Sequence, residues 1–185
     1  MNQETLDQYD YYDDEFIEIK RKFLAPRIGN FIISFSLLEQ ELNTTISELI
    51  FEDTHLPGYL IINKTEIMDK ALTMINLFNS QLIAIDEEYK DEMKTKIQKL
   101  KTDLVKIIEF RNKIAHANWS TLKEGYVVRT KFKYDSNTIN IVFNDEKLCL
   151  KTIDKKEKAI HQCIKNILLI NEKFNSLIYN QFENE

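Results

Sequence analysis

An all-α fold, an up-and-down bundle of four to five helices with a β-hairpin inserted before the last helix, is predicted by three observations on the sequence. Only three glycines and two prolines punctuate 185 residues, too few for a multi-stranded β fold and natural for long helices. Apolar residues recur at alternating spacings of four and three over most of the length, the signature of a packed helical seam. Between residues 126 and 143 the period drops to two, which belongs to strands.

Taken in order, residues 1–26 form an acidic, tyrosine-rich segment (Tyr9, Tyr11, Tyr12). Within it a short helix is expected from about Asp13 to Leu24, ended by Pro26. The bundle then occupies 27–185. Its first long helix runs from near Arg27 to Phe51, with a seam Ile28, Ile32, Phe35, Glu39, Leu42, Ile46, Leu49. Glu39 interrupts that seam. Two readings fit it: a buried or half-buried contact with Arg111 of the third helix, or an edge position in water. The stretch His55-Leu56-Pro57-Gly58 reads as a turn. A second helix follows from about Asn63 or Thr65 to near Leu82, with Ile67, Ala71, Ile75 and Phe78 inward.

A third helix runs from Glu87 to His116, with a seam of Met93, Ile97, Leu100, Leu104 and Ile107. Arg111 occupies the next position, where a leucine is expected, and a guanidinium is costly to bury without a partner. The hairpin insertion spans about 124–150. Tyr126, Val128, Thr130, Phe132 and Tyr134 share one face, Arg129, Lys131 and Lys133 the other. Asp135-Ser136-Asn137 turns the chain, and Ile139, Ile141 and Phe143 return. The cations suit RNA contact, and they equally suit a charged face protecting a sheet edge. The last helix is expected from Asp154, with Asp154 and Glu157 as capping pair, through Ile160, Ile164, Ile167, Phe174 and Ile178. His161 lies beside that stripe as a structural residue.

Composition narrows the function. No apolar run approaches the roughly 20 residues that span a bilayer, and the N-terminus lacks a basic region followed by an apolar one. A cytoplasmic protein without membrane partners is therefore expected. Cys149 and Cys163 form no C-x-x-C pair, and both are assigned to packing. His55, His116 and His161 are widely separated, no metal-ligand spacing appears, and neither metal nor other cofactor is called for. The net charge of −5 is unevenly sorted: −7 over 1–18, −5 over 19–93, +9 over 94–165 and −2 over the last twenty residues. Such sorting can focus a polyanion onto one region, although solvated lysine faces give the same tally.

The positive block contains Arg111-Asn112-Lys113-Ile114-Ala115-His116. Histidine titrates near neutrality and can act as base or acid, and the planar guanidinium matches phosphoryl oxygens. Five residues place Arg111 and His116 about 140° apart and about 7.5 Å along an ideal helix, so one straight helix cannot aim both at one point. Asn112, four residues before His116, shares its face and can orient the imidazole.

A third long helix ending in arginine, a polar residue, a few more residues and histidine resembles the HEPN superfamily, and Phe35-Ser-Leu-Leu-Glu-Gln-Glu-Leu42 is similar to the first bundle helix of some of its branches. The resemblance covers about Arg27 to Gln181, with the hairpin as an insertion. It implies a dimeric, metal-independent endoribonuclease of toxin-antitoxin, phage-defence or CRISPR type. It also implies Arg111 and His116 as the catalytic pair, with Asn112 as supporting polar residue. In one branch a tyrosine two residues after the histidine is modified by a nucleotidyltransferase antitoxin. Asn118 stands there in this chain, so that regulation is not expected, while Trp119 lies next to it as a possible support. The expected partners are a second copy, an RNA substrate and an antitoxin or defence protein. Lys113, Arg129, Lys131 and Lys133 are the candidate RNA contacts, and Glu39 and Trp119 the supporting residues. The alternative is a non-catalytic module of the same fold that senses RNA, a nucleotide or a protein.

Overall fold

Long helices dominate the chain because its apolar side chains fall on helical stripes that can be buried together. The computed structural model describes residues 14–51, 56–115, 118–121, 127–135 and 140–182, the strands by their backbone. In order, these form α1 (Asp14–Ile50), α2 (Leu56–Ile62), α3 (Ile67–Gln81), a 3₁₀ turn (Leu82–Ala84), α4 (Glu87–Ala115), β1 (Asn118–Thr121), β2 (Val127–Asp135), β3 (Asn140–Leu148) and α5 (Leu150–Phe182). The chain clusters into two units. One comprises 1–32 and 111–156, the other 33–110 and 157–185.

In the second unit the buried stripe of α1 is Phe35, Leu38, Leu42 and Ile46, with Ser34, Thr45 and Ser47 also buried. Expected Ile28, Ile32 and Leu49 are only half-buried. The stripe is thus rotated by about one residue from the expected seam, because Leu38 offers an apolar side chain where the expected register placed Glu39. On α3, Ala71, Met74, Ile75 and Phe78 are buried, and Phe78 stacks on Phe174 of α5 with centroids 6.0 Å apart and planes at 21°. Such aromatic pairs add about 0.5–1.5 kcal/mol beyond area burial. On α4 the expected seam is buried throughout: Met93, Ile97, Leu100, Leu104 and Ile107 are each at most 1% exposed. On α5, Ile160, Cys163, Ile167, Ile170, Phe174 and Leu177 are buried. Ile164 and Ile178 flank that stripe and are half-buried.

Five expectations are corrected. Pro26 does not end a short helix: it lies inside the 37-residue α1. A proline there removes one backbone donor and crowds the preceding turn. One turn back, the Arg27 side chain donates from Nη1 to the Phe23 carbonyl at 3.1 Å. The Leu56-Pro57-Gly58 stretch is helical rather than a turn, since proline is tolerated in a first helical turn. Glycine is needed there, as a Cβ on Gly58 would stand 2.5 Å from Ser47 Oγ and 3.0 Å from Ser47 Cα. The last helix begins at Leu150, four residues before the expected start. Asp154 and Glu157 are not a capping pair: Asp154 Oδ1 pairs with Arg27 Nε at 3.3 Å, and Glu157 Oε1 accepts from Ser34 Oγ at 3.4 Å. Finally, Cys149 is exposed, so only Cys163 serves packing.

In the first unit the three strands pair antiparallel in the order β1-β2-β3. β2 and β3 run in register from Val127 opposite Leu148 to Asp135 opposite Asn140. β1, which sequence periodicity does not single out in four residues, lies against the other edge of β2, Trp119 opposite Arg129. The turn at Ser136 and Asn137, together with His55 and His116, lies outside the described residues.

Candidate functional site

α4 carries the candidate residues to their place. Its acidic start, Glu87 and Glu88, and the basic Lys113 in its last turn both complement the helix dipole. Buried Ile107, Ile108, Phe110 and Ile114 hold its final turns. Arg111 is half-buried among them, one step beyond Ile107 on the seam. Its Nη1 donates to Asn112 Oδ1 at 3.3 Å. Asn112 is exposed and Lys113 half-buried. The amide oxygen of Asn112 is thus engaged by its neighbour, leaving the amide nitrogen as the group able to meet an imidazole. The helix ends at Ala115, directly before His116 in sequence.

Arg129, Lys131 and Lys133 sit at alternate positions of β2 and so share one face of the sheet. Across β3 they stand opposite Glu146, Asn144 and Val142. Arg129 is flanked on its other side by Trp119 of β1. Lys131 and Lys133 face no charge in register.

Glu39 belongs to a separate site. Lys70 of α3, 2% exposed, places its Nζ 2.7 Å from Glu39 Oε1, whose side chain is 40% exposed. Lys70 stands between Ile67 and Met74 next to Ala71 of the expected seam, and only the fold shows it buried. His161 is exposed, with Nε2 3.4 Å from Ser34 Oγ, a local structural contact. Burial, together with the nearby Asp103 carboxylate, pushes the Cys163 thiol up to about 12, so that it remains protonated and unreactive at neutral pH.

Among the described residues no group of three or more histidine, cysteine, aspartate or glutamate side chains stands where it could hold a metal ion. No described helix is long and apolar enough to cross a membrane. No known protein family, curated protein or solved structure matches the chain.

Proposed function

We propose that the chain is a metal-independent endoribonuclease of toxin or phage-defence type on a HEPN-like bundle, cutting RNA in a cleft shared by two copies. The observation that carries this reading is Arg111: a guanidinium half-buried in the last turn of a helix whose seam is otherwise apolar. Packing alone favours leucine there. A function that uses positive charge explains the substitution.

Attack of an RNA 2′-hydroxyl on the adjacent phosphorus needs a base for the 2′ proton, an acid for the departing 5′-oxygen and positive charge on the phosphorane. His116 takes the proton. Arg111 meets the equatorial oxygens, with Asn112 as positioning residue. The partner's His116 returns a proton to the 5′-oxygen, since one imidazole cannot fill both roles at once. The products are a 2′,3′-cyclic phosphate and a 5′-hydroxyl. A two-fold axis supplies each group twice. The paired strands, with Arg129, Lys131 and Lys133 on one face, form an inserted hairpin that contacts the RNA backbone.

The test is incubation of full-length protein with single-stranded RNA in EDTA. Cyclic-phosphate ends should appear, and His116→Ala and Arg111→Ala should each lower the rate at least about a hundredfold with unchanged circular dichroism. Cleavage unchanged in both variants overturns the assignment. The contact of Arg111 with its own neighbour Asn112 also fits a non-catalytic module of the same fold, and RNA bound but never cut would select that second reading.

A further inference from the structure

The last helix carries a cationic ridge. Lys151, Lys155, Lys158, Gln162 and Lys165 fall at i, i+4, i+7, i+11 and i+14 along α5, and all five are exposed. They lie within about 80° of one another and span about 21 Å of helix. No acid interrupts the row. Only two acids occur in residues 150–165, and both are taken up elsewhere: Asp154 by Arg27, Glu157 by Ser34.

The four lysines, in contrast, enter no ion pair or hydrogen bond among the described residues. Pairing is readily made where the sequence provides for it. On α4, Lys90, Lys94 and Lys96 each meet an acid three or four residues away, at 2.8, 3.7 and 2.5 Å. On the ridge the one acid at such a spacing, Asp154, three residues after Lys151 and four before Lys158, is paired with Arg27 instead. Like charges one helical turn apart repel one another and destabilise the helix by a few tenths of a kcal/mol per pair, a loss that a bound polyanion reverses.

We infer that this ridge of α5 is a binding surface for the phosphodiester backbone of RNA, outside the Arg111 site. The choice of RNA as the polyanion rests on the ribonuclease reading; the ridge itself does not. An anionic membrane is the poorer fit. A helix that lies on a bilayer inserts its apolar face, and the apolar face of α5 is already buried through Ile153, Ile160, Cys163, Ile167 and Ile170. Four flexible ammonium groups match phosphates rather than base edges, so the ridge positions RNA without reading its sequence. Gln162 is a neutral position in the row, its amide nitrogen donating to Asn166 Oδ1 at 2.9 Å.

The experiment uses the full chain and a fluorescent 2′-O-methyl RNA, which binds but cannot be cut by 2′-hydroxyl attack. Fluorescence anisotropy across a salt series gives the slope of log K against log salt. Wild type is expected to show a steep slope, and Lys155→Gln/Lys158→Gln, with unchanged circular dichroism, a slope shallower by about 1.4, at about 0.7 per lost phosphate contact. Affinity at low salt should fall at least fivefold, alike for different sequences. Equal affinity and slope in the two proteins overturn the ridge, as does tighter binding of wild type to phosphatidylserine vesicles than to RNA. Failure of the ribonuclease reading has a different signature: unmodified RNA stays intact while the ridge variant still binds more weakly than wild type.

Discussion

Lys70 and Arg111 are two solutions to one problem, a cation on an apolar stripe. The Lys70 ammonium, buried to 2% exposure, exchanges water for a single carboxylate oxygen at 2.7 Å, and the 40% exposed Glu39 keeps part of its hydration. That asymmetry makes the two halves of the pair unequal. Glu39→Ala leaves a buried ammonium with no counter-charge and should lower stability by about 2 kcal/mol, below the range for a fully buried pair because Glu39 is half in water. Lys70→Met leaves a carboxylate that water can reach and fills the same volume, so its loss should stay under about 1 kcal/mol. Urea denaturation of both variants decides it, and equal or reversed losses would show that the contact does not govern the site.

At the scale of elements, α1 is the instructive case. Pro26 is exposed within a helix that continues on both sides of it. The guanidinium of Arg27 answers the Phe23 carbonyl and at the same time pairs with Asp154. Pro26→Ala restores a backbone donor to the helix and should raise stability by about 1 kcal/mol, after allowing for a turn already adapted to proline, and the melting temperature with it. Calorimetry showing a lower melting temperature would mean that the native path of α1 needs the proline. The same element shows what sequence makes legible. On α4 five consecutive seam positions are all large and apolar, and the expected stripe is the buried one. On α1 two neighbouring rows are both apolar, Ile28-Ile32 and Phe31-Leu38, and periodicity alone cannot choose between them. Local rules also mislead where tertiary partners intervene. Proline as a helix stop fails at Pro26, which lies inside a helix that continues on both sides, and Asp154 as a helix cap fails because the helix already starts at Leu150 and Arg27 claims the carboxylate. At the candidate site, Arg111 was legible as a break in a uniform seam. Lys70 was not, since α3 is shorter and its row also holds the small Ala71.

Over the whole molecule, the reading of a shared cleft commits the protein to self-association. One histidine per chain at the motif cannot both take and give a proton in one step. Light scattering at micromolar concentration should therefore give twice the 22.0 kDa chain mass. A single-chain mass under conditions where RNA is cut would refute the composite cleft while sparing the assignment of Arg111.

The inward turn of Asp154 and Glu157 shapes how the protein meets other polyanions. Mobile ions blur charge beyond about 8 Å at physiological salt, so from afar a nucleic acid meets only a net −5 body. Within that distance the lysine ridge is resolved from the chain's acids, Asp154 beside it being paired with Arg27. If α5 binds a nucleic acid as inferred, long-range steering is weak, close-range grip is strong, and the strand must lie flat against the helix to be held.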